Sequence, residues 1–323
     1  MNTVKVFAYG ISEQIHQYLP EELQNMEFEV VQDVKNNGVL FTGLRAHVPG
    51  ESISPVLYLN DFYDEVKKGA SLEEMMETIA GCIENCRNVA MMNQNVGSHD
   101  INMLQDKVTP MLINGKANRD MLQSMPHVLV EDLAMLFKVD LKMPGSSGIG
   151  TLKVKNEMLE YWGISKEELY NRAVSNVQKY DAPRLVPMSE MVFELSMNRD
   201  SDTNLLKNPE MFSDYKNEVI FVLTNKFRHH GTAALVCPEV MNKISELMPE
   251  GFYILPSSIH ETLIISKECD LNPKCLGQMV RDINHDMVER EEVLSDRVYE
   301  YDKDLGKIRQ VPESIQKSRE AAR

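Results

Sequence analysis

The chain has 323 residues, 43% of them hydrophobic and 26% charged, a composition that suits an ordinary folded protein and excludes a disordered one. At about 100 to 150 residues per domain it should form two or three domains. Lys and Arg number 34 against 49 Asp and Glu, and the resulting formal charge of -15 disfavours nucleic acid and anionic membrane as partners.

The N-terminus carries one early Lys and no long apolar core, so it does not resemble a signal peptide. Val6, Phe7, Ile11, Ile15, Tyr18 and Leu19 fall at helical spacing and predict a first helix over 3–24. Runs at 28–34 and 39–48 read as strands joined through Asn36-Asn37-Gly38, residue types that accept the positive φ of a tight turn. A third strand at 55–59 and a helix from 71 to 88 follow. Ile101, Leu104, Val108, Met111 and Leu112 recur at helical intervals and mark 89–126 as a helical connector.

From 129 to 141 the pattern alternates. Leu129, Leu133, Met135, Phe137, Val139 and Leu141 share one face, and Asp132, Lys138, Asp140 and Lys142 the other, so a long strand with one wet face is expected. Pro183, Pro187 and Pro209 interrupt 178–216, which reads as an irregular linker or lid with one helix at 188–197. Continuous apolar runs at 219–223 and 233–237 read as buried strands, and Pro238 opens a helix. Strands at 252–255 and 259–265, a helix from Asn272-Pro273 and a hairpin of 297–301 with 307–311 complete a C-terminal ββαββαββ third.

One pattern occurs twice. Val48-Pro49-Gly50 and Met143-Pro144-Gly145 each lead into a strand, a short helix and a second helix opened by a capping box, Ser71 with Glu74 and Ser165 with Glu168. These readings define an α+β fold of repeated strand-turn-strand-helix units, with mostly antiparallel sheets and helices packed on one face. The expected domains are 1–126, 127–212 and 213–323.

Cys82, Cys86, Cys237, Cys269 and Cys275 are odd in number and lack framework spacing, which suits a reducing compartment. Cys82 and Cys86 continue an apolar helix stripe, and neither a metal nor a cofactor is expected. The densest basic run, Lys226-Phe227-Arg228-His229-His230, reads as a solvated turn. Asp296, Glu300, Asp302 and Asp304 lack calcium-loop spacing, and the Gly148/Gly150 stretch is followed by a strand, not by a phosphate-binding helix N-terminus.

The sharpest chemical candidate is Pro256-Ser257-Ser258-Ile259-His260-Glu261. A hydrolase would use His260 as base, Ser257 or Ser258 as nucleophile and Glu261 as orienting acid. If 259–265 is a strand, however, His260 and Glu261 point to opposite faces, and the cluster is better read as a β corner whose Ser257, Ser258 and His260 could bind a ligand. A partner-facing stripe is expected from Met188, Met191, Val192 and Leu195 on the 188–197 helix, because flexible thioethers suit adaptable surfaces.

Asn36-Asn37-Gly38-Val39, Ile53-Ser54-Pro55, Asn60-Asp61-Phe62-Tyr63, Tyr161-Trp162-Gly163, Tyr253 to Glu261, Glu291 to Asp296 and Val298-Tyr299 together resemble the bacterial domain-of-unknown-function family 5688, common in Firmicutes. The resemblance covers about 15–311 and implies a bacterial intracellular setting, with no catalytic residue or cofactor to carry over. The expected function is a cytoplasmic, non-catalytic interaction or accessory protein whose partner is another protein. The alternative is the His260 enzyme. A nucleic-acid binder would need a stripe assembled from residues such as Arg119, Lys142, Lys153 and Lys155.

Overall fold

The first compact unit of the chain comprises 1–100 with 141–150, and the second 101–140 with 151–323. The computed structural model describes residues 3–47, 56–95, 104–142, 149–199, 201–256, 258–269 and 271–312, excepting the side chains of 86–95, 141–142 and 149–150. Both Pro-Gly turns of the doubled pattern, at 48–55 and 143–148, lie outside these residues, as do Ser257 and Gly148.

In the first unit, helix α1 (Val4–Gln14) is capped by Thr3 and continues as 3-10 turns through Tyr18, so the predicted first helix is shorter and broken. Strands β1 (Glu27–Val34), β2 (Leu40–His47) and β3 (Val56–Tyr58) form an antiparallel sheet in that order. The β1–β2 turn uses positive φ at Asn37 and Gly38, the residues expected to supply it. Helices α2 (Asn60–Lys67) and α3 (Leu72–Asn95) follow, and Ile11, Ile15, Leu44, Leu59, Ile79 and Ile83 make the core.

The second unit begins with β4 (Thr109–Asn114), a strand where a helical connector was expected. Five of its six residues are buried, and a short run buried on both faces carries no alternation to separate it from a helix. After α4 (Arg119–Leu122), the long predicted strand is divided into β5 (Val128–Val130) and β6 (Leu133–Lys142) by a turn with Glu131 at φ 57°. Residues 133–139 of β6 are buried without interruption, so Lys138, expected on a wet face, is enclosed. The order in this sheet is β4-β6-β5, with β7 (Ile149–Lys153) also paired to β6.

Helices α5 (Asn156–Trp162) and α6 (Lys166–Asn176) come next, the latter opened by the predicted Ser165–Glu168 capping box. The expected linker is then corrected by β8 (Pro183–Pro187), a fully buried strand at the edge of a six-stranded antiparallel sheet. An edge position tolerates both prolines because only one side of the strand must supply ladder donors. Helix α7 (Met188–Met197) leads on to β9 (Ile220–Asn225).

The predicted strand at 233–237 is a 3-10 turn, Gly231–Val236, packed under the tight loop that follows β9. Helix α8 (Pro238–Leu247), β10 (Phe252–Leu255), β11 (Thr262–Ser266), α9 (Pro273–Asp286), β12 (Tyr299–Asp302) and β13 (Lys307–Gln310) complete the chain. The sheet order is β13-β12-β10-β11-β9-β8. Because 233–237 is not a strand, the chain from β9 runs βαββαββ in place of the expected ββαββαββ, and β8 joins the sheet from before α7. The expected boundary near 213 thus falls between two strands paired in one sheet. Leu263 packs with both the α9 cluster (Leu276, Val280) and the α7 cluster (Met191, Val222), which puts the two helices on one face.

Candidate functional site

Between β9 and the 231–236 turn the chain makes a tight loop organised by one side chain. Asn225 Oδ1 accepts from the amides of Phe227 at 3.0 Å and His229 at 3.1 Å, while its Nδ2 donates to the His229 carbonyl at 2.7 Å. This local capping holds Arg228 and His230 at φ 50° and 54°, a region that costs a non-Gly residue about 1 to 3 kcal/mol and is occupied mainly where surrounding structure imposes it. Gly231 lets the loop close: a Cβ there would lie 2.5 Å from the Asn225 nitrogen and 2.7 Å from the His260 carbonyl oxygen.

The loop brings His229 and His230 against His260, which lies in the bend before β11. Ring centroids are 4.1 Å apart for His229–His230 and 5.4 Å for each with His260. His260 Nδ1 accepts from the His230 amide at 3.1 Å, which leaves Nε2 protonated and facing Glu292 Oε1 at 3.2 Å. Glu292 is held below the usual carboxylate range by the hydrogen bond from His260, against the opposing effect of burial.

On the other side, Thr151 Oγ1 donates to Asp140 Oδ1 at 2.9 Å and lies 3.0 Å from His229 Nε2. One hydroxyl carries one proton, so with that proton on Asp140 it is His229 Nε2 that donates to Thr151. Asp140 also pairs with Lys138, whose ammonium is fully enclosed and reaches Asp181 Oδ1 at 3.3 Å. Burial raises the Asp181 carboxyl to about 6, although Lys138 pulls the other way. Burial likewise lowers His229, and lowers His230 to about 2, so both imidazoles are neutral at neutral pH. His230 Nδ1 is buried without a hydrogen-bond partner.

The predicted residues fall differently. Ser258 Oγ accepts from the His260 amide at 3.0 Å, and among the described residues no hydrogen bond joins that hydroxyl to the His260 ring. The carboxylate facing His260 is that of Glu292, distant in sequence, and not that of Glu261, which only the hydrolase alternative would have placed there. Burial raises the Glu261 carboxyl, with His260 and Arg228 opposing. The expected solvated turn at 226–230 is instead half enclosed, with His230 buried. Lys138, Asp140, Thr151, His229, His230 and Glu292 were missed. The one available signal was a lysine and an aspartate inside a run otherwise apolar enough to be buried.

A second ion network joins this loop to α7. Glu194 is wholly buried and is gripped at 2.6 Å by both Arg184 and Arg228, with Ser201 Oγ at 2.5 Å. Burial alone would raise its carboxyl, but these donors more than offset it and hold it at about 2. With Glu194 and Met191 directed inward, α7 turns Val192 (56% exposed), Phe193 (50%), Leu195 (62%) and Met197 (62%) to solvent. Of the predicted stripe, Val192 and Leu195 are outward. Met191 is buried against Val186 and Val222, and Met188 packs partly beside it, because the helix must bury one apolar strip to stay on its sheet.

Among the described residues, no three His, Cys, Asp or Glu side chains converge so as to hold a metal ion, and no helix is long and apolar enough to cross a membrane. The architecture is an α+β protein with antiparallel sheets. The chain belongs to the family of unknown function 5688, which it matches over residues 4–303. No curated protein and no solved structure matches it.

Proposed function

We propose that the chain is a cytoplasmic protein-interaction module of a bacterial cell whose docking surface is the outer face of α7. The supporting observation is the exposure of Val192, Phe193, Leu195 and Met197 on one ten-residue helix whose inner face is locked by Glu194. Contiguous large apolar side chains at a surface are the usual mark of a partner site. Glu190, bonded by the Tyr215 hydroxyl at 3.1 Å, and the adjoining Asp214 give one end of the face an acidic rim. The fitting partner is a protein segment with an apolar stripe flanked by Lys or Arg. A second copy would bring the same acids and another -15 charges against them.

The test is to purify the partner recovered from native cells and titrate it against the wild type and Phe193→Glu/Leu195→Glu. Both changes are at exposed positions, so the melting temperature should hold while affinity falls at least 100-fold. The wild-type affinity should weaken with salt. Unchanged binding by the double variant removes the reading.

The Thr151–His229 and His260–Glu292 contacts favour a second reading, acid–base chemistry on a small polar substrate, since imidazoles bonded to a hydroxyl–carboxylate pair and to a carboxylate can accept and return protons. A panel of chromogenic ester, amide and phosphomonoester substrates would then show turnover that His229→Gln and His260→Gln each reduce at least 100-fold. Turnover absent across the panel, or insensitive to both changes, rejects it.

A further inference from the structure

Strand β5 is the outermost strand on its side of the β4-β6-β5 sheet, and its pairing with β6 fixes which way its main chain points. Val130 pairs with Leu133 across the two-residue turn, Leu129 with Ala134 and Val128 with Met135. The pair closing a two-residue hairpin exchanges both hydrogen bonds, so Val130 and Val128 bond inward and Leu129 does not. The β4 side agrees: Gly115 donates to the Asp132 carbonyl at 2.9 Å, which assigns the even-numbered residues of β6 to β4 and the odd ones to β5. The Leu129 N–H and C=O therefore point away from the sheet and meet no partner among the described residues. Its side chain is 66% exposed.

A cavity lies on each face of this short edge. One of about 410 Å³ is lined by Val128, Val130, Met135, Leu235, Met241 and Ile308, the β5 residues of one pleat face with apolar side chains from beyond. The other, about 370 Å³, is lined by Leu129 on the opposite pleat face with Leu122, the cations Lys116 and Arg119 and the carboxylates Glu131 and Asp132. The two share Leu129 and Glu131. An open strand edge with a pocket on each face matches the demands of an added strand, whose successive side chains point alternately to the two sides.

We infer that β5 is a docking edge for an extended peptide segment of a partner protein. Main-chain bonds to Leu129 hold the segment. An apolar side chain fills the cavity over Val128, Val130 and Met135, and the next residue, a polar one, enters the mixed-charge cavity of Lys116, Arg119, Glu131 and Asp132. This edge is separate from α7, and neither surface needs the other.

The probe is a displayed library of random decapeptides selected on the full chain, with the recovered peptides synthesised and titrated by fluorescence anisotropy. Expected peptides alternate apolar and polar residues. Leu129→Pro, which removes the outward donor without touching a ladder bond, weakens them at least tenfold, while Leu129→Ala weakens them less. Lys116→Glu/Arg119→Glu, which leaves only anions in the second cavity, shifts that polar position toward Lys or Arg. Independently of protein folding, N-methylation of the central peptide amides abolishes binding to the wild type. Phe193→Glu/Leu195→Glu leaves peptide binding unchanged, which separates failure here from failure of the α7 reading. The inference is overturned if no peptide is enriched, or if those recovered tolerate N-methylation. It is also overturned if the wild type dimerises through this edge, seen as a sedimenting dimer that Leu129→Pro dissociates while no peptide is enriched.

Discussion

Glu194→Gln should lower the stability of the protein by about 3 to 5 kcal/mol, the range found when one member of a buried ionic network is removed and the others are left uncompensated. The glutamine keeps the shape of the side chain but leaves the guanidinium groups of Arg184 and Arg228 facing each other with no anion between them. At about 2 to 4 °C per kcal/mol for a unit of this size, the melting temperature should fall by roughly 10 °C. The pH dependence gives a second signature. Glu194 is held at about 2 against an ordinary 4.5, so the unfolded chain takes up a proton more readily. Stability from its ionised form is complete above the ordinary carboxylate range and is lost as the pH falls toward 2. Urea midpoints measured between pH 3 and pH 7 should therefore drop at the acid end more steeply in the wild type than in Glu194→Gln. A variant as stable as the wild type, with the same acid limb, would mean that the network contributes nothing to the fold. It would also remove the argument that Glu194 anchors α7 with its apolar face outward.

Much of this architecture was legible in the sequence because local chemistry and tertiary packing agreed. Asn37 and Gly38 were expected to turn the β1–β2 hairpin, and they do so in the left-handed region. Ser165 and Glu168 were expected to form a reciprocal cap, and the Glu168 amide lies 3.1 Å from Ser165 Oγ. The failures share a physical cause. β4 and the 231–236 turn are buried all round, and once both faces of a segment are apolar its period no longer identifies it. β8 was hidden by two prolines that an edge strand can accommodate.

The candidate site was legible only at His260. Its carboxylate partner, Glu292, lies 32 positions further along the chain and reaches it because Ser258 bridges to Val293 and Ile259 donates to the Glu292 carbonyl at 2.9 Å. No spacing rule predicts a contact made by two loop segments pairing. His229 and His230 were hidden for the opposite reason. A run of Lys, Arg and His reads as solvated, and only the Asn225 cap and the close fit of Gly231 fold it inward.

Lys138 offers the sharpest test of whether the histidine site and the buried charges form one system. Its ammonium is fully enclosed between Asp140 and Asp181, and Lys138→Met should cost about 3 to 5 kcal/mol by leaving two carboxylates without a cation. Adding Asp181→Asn to that variant should restore a large part of the loss, a non-additivity of more than about 1 kcal/mol that only directly coupled groups show. The pH response of Asp181 runs opposite to that of Glu194. Its folded value, about 6, lies above the ordinary 3.8, so its contribution is fully present below the ordinary value and is lost as the pH rises through 6. Asp181→Asn should abolish that loss, seen as urea midpoints that no longer fall between pH 4 and pH 7 on its account. The same substitutions should register at His229, where Lys138 disfavours the imidazolium and Asp140 favours it. In proton NMR titrations the His229 ring should therefore titrate at higher pH in Lys138→Met and at lower pH in Asp140→Asn. If His229 titrates identically in all three proteins, the buried lysine acts only on stability, and the relay from Lys138 through Asp140 and Thr151 to the imidazole is not electrostatically connected.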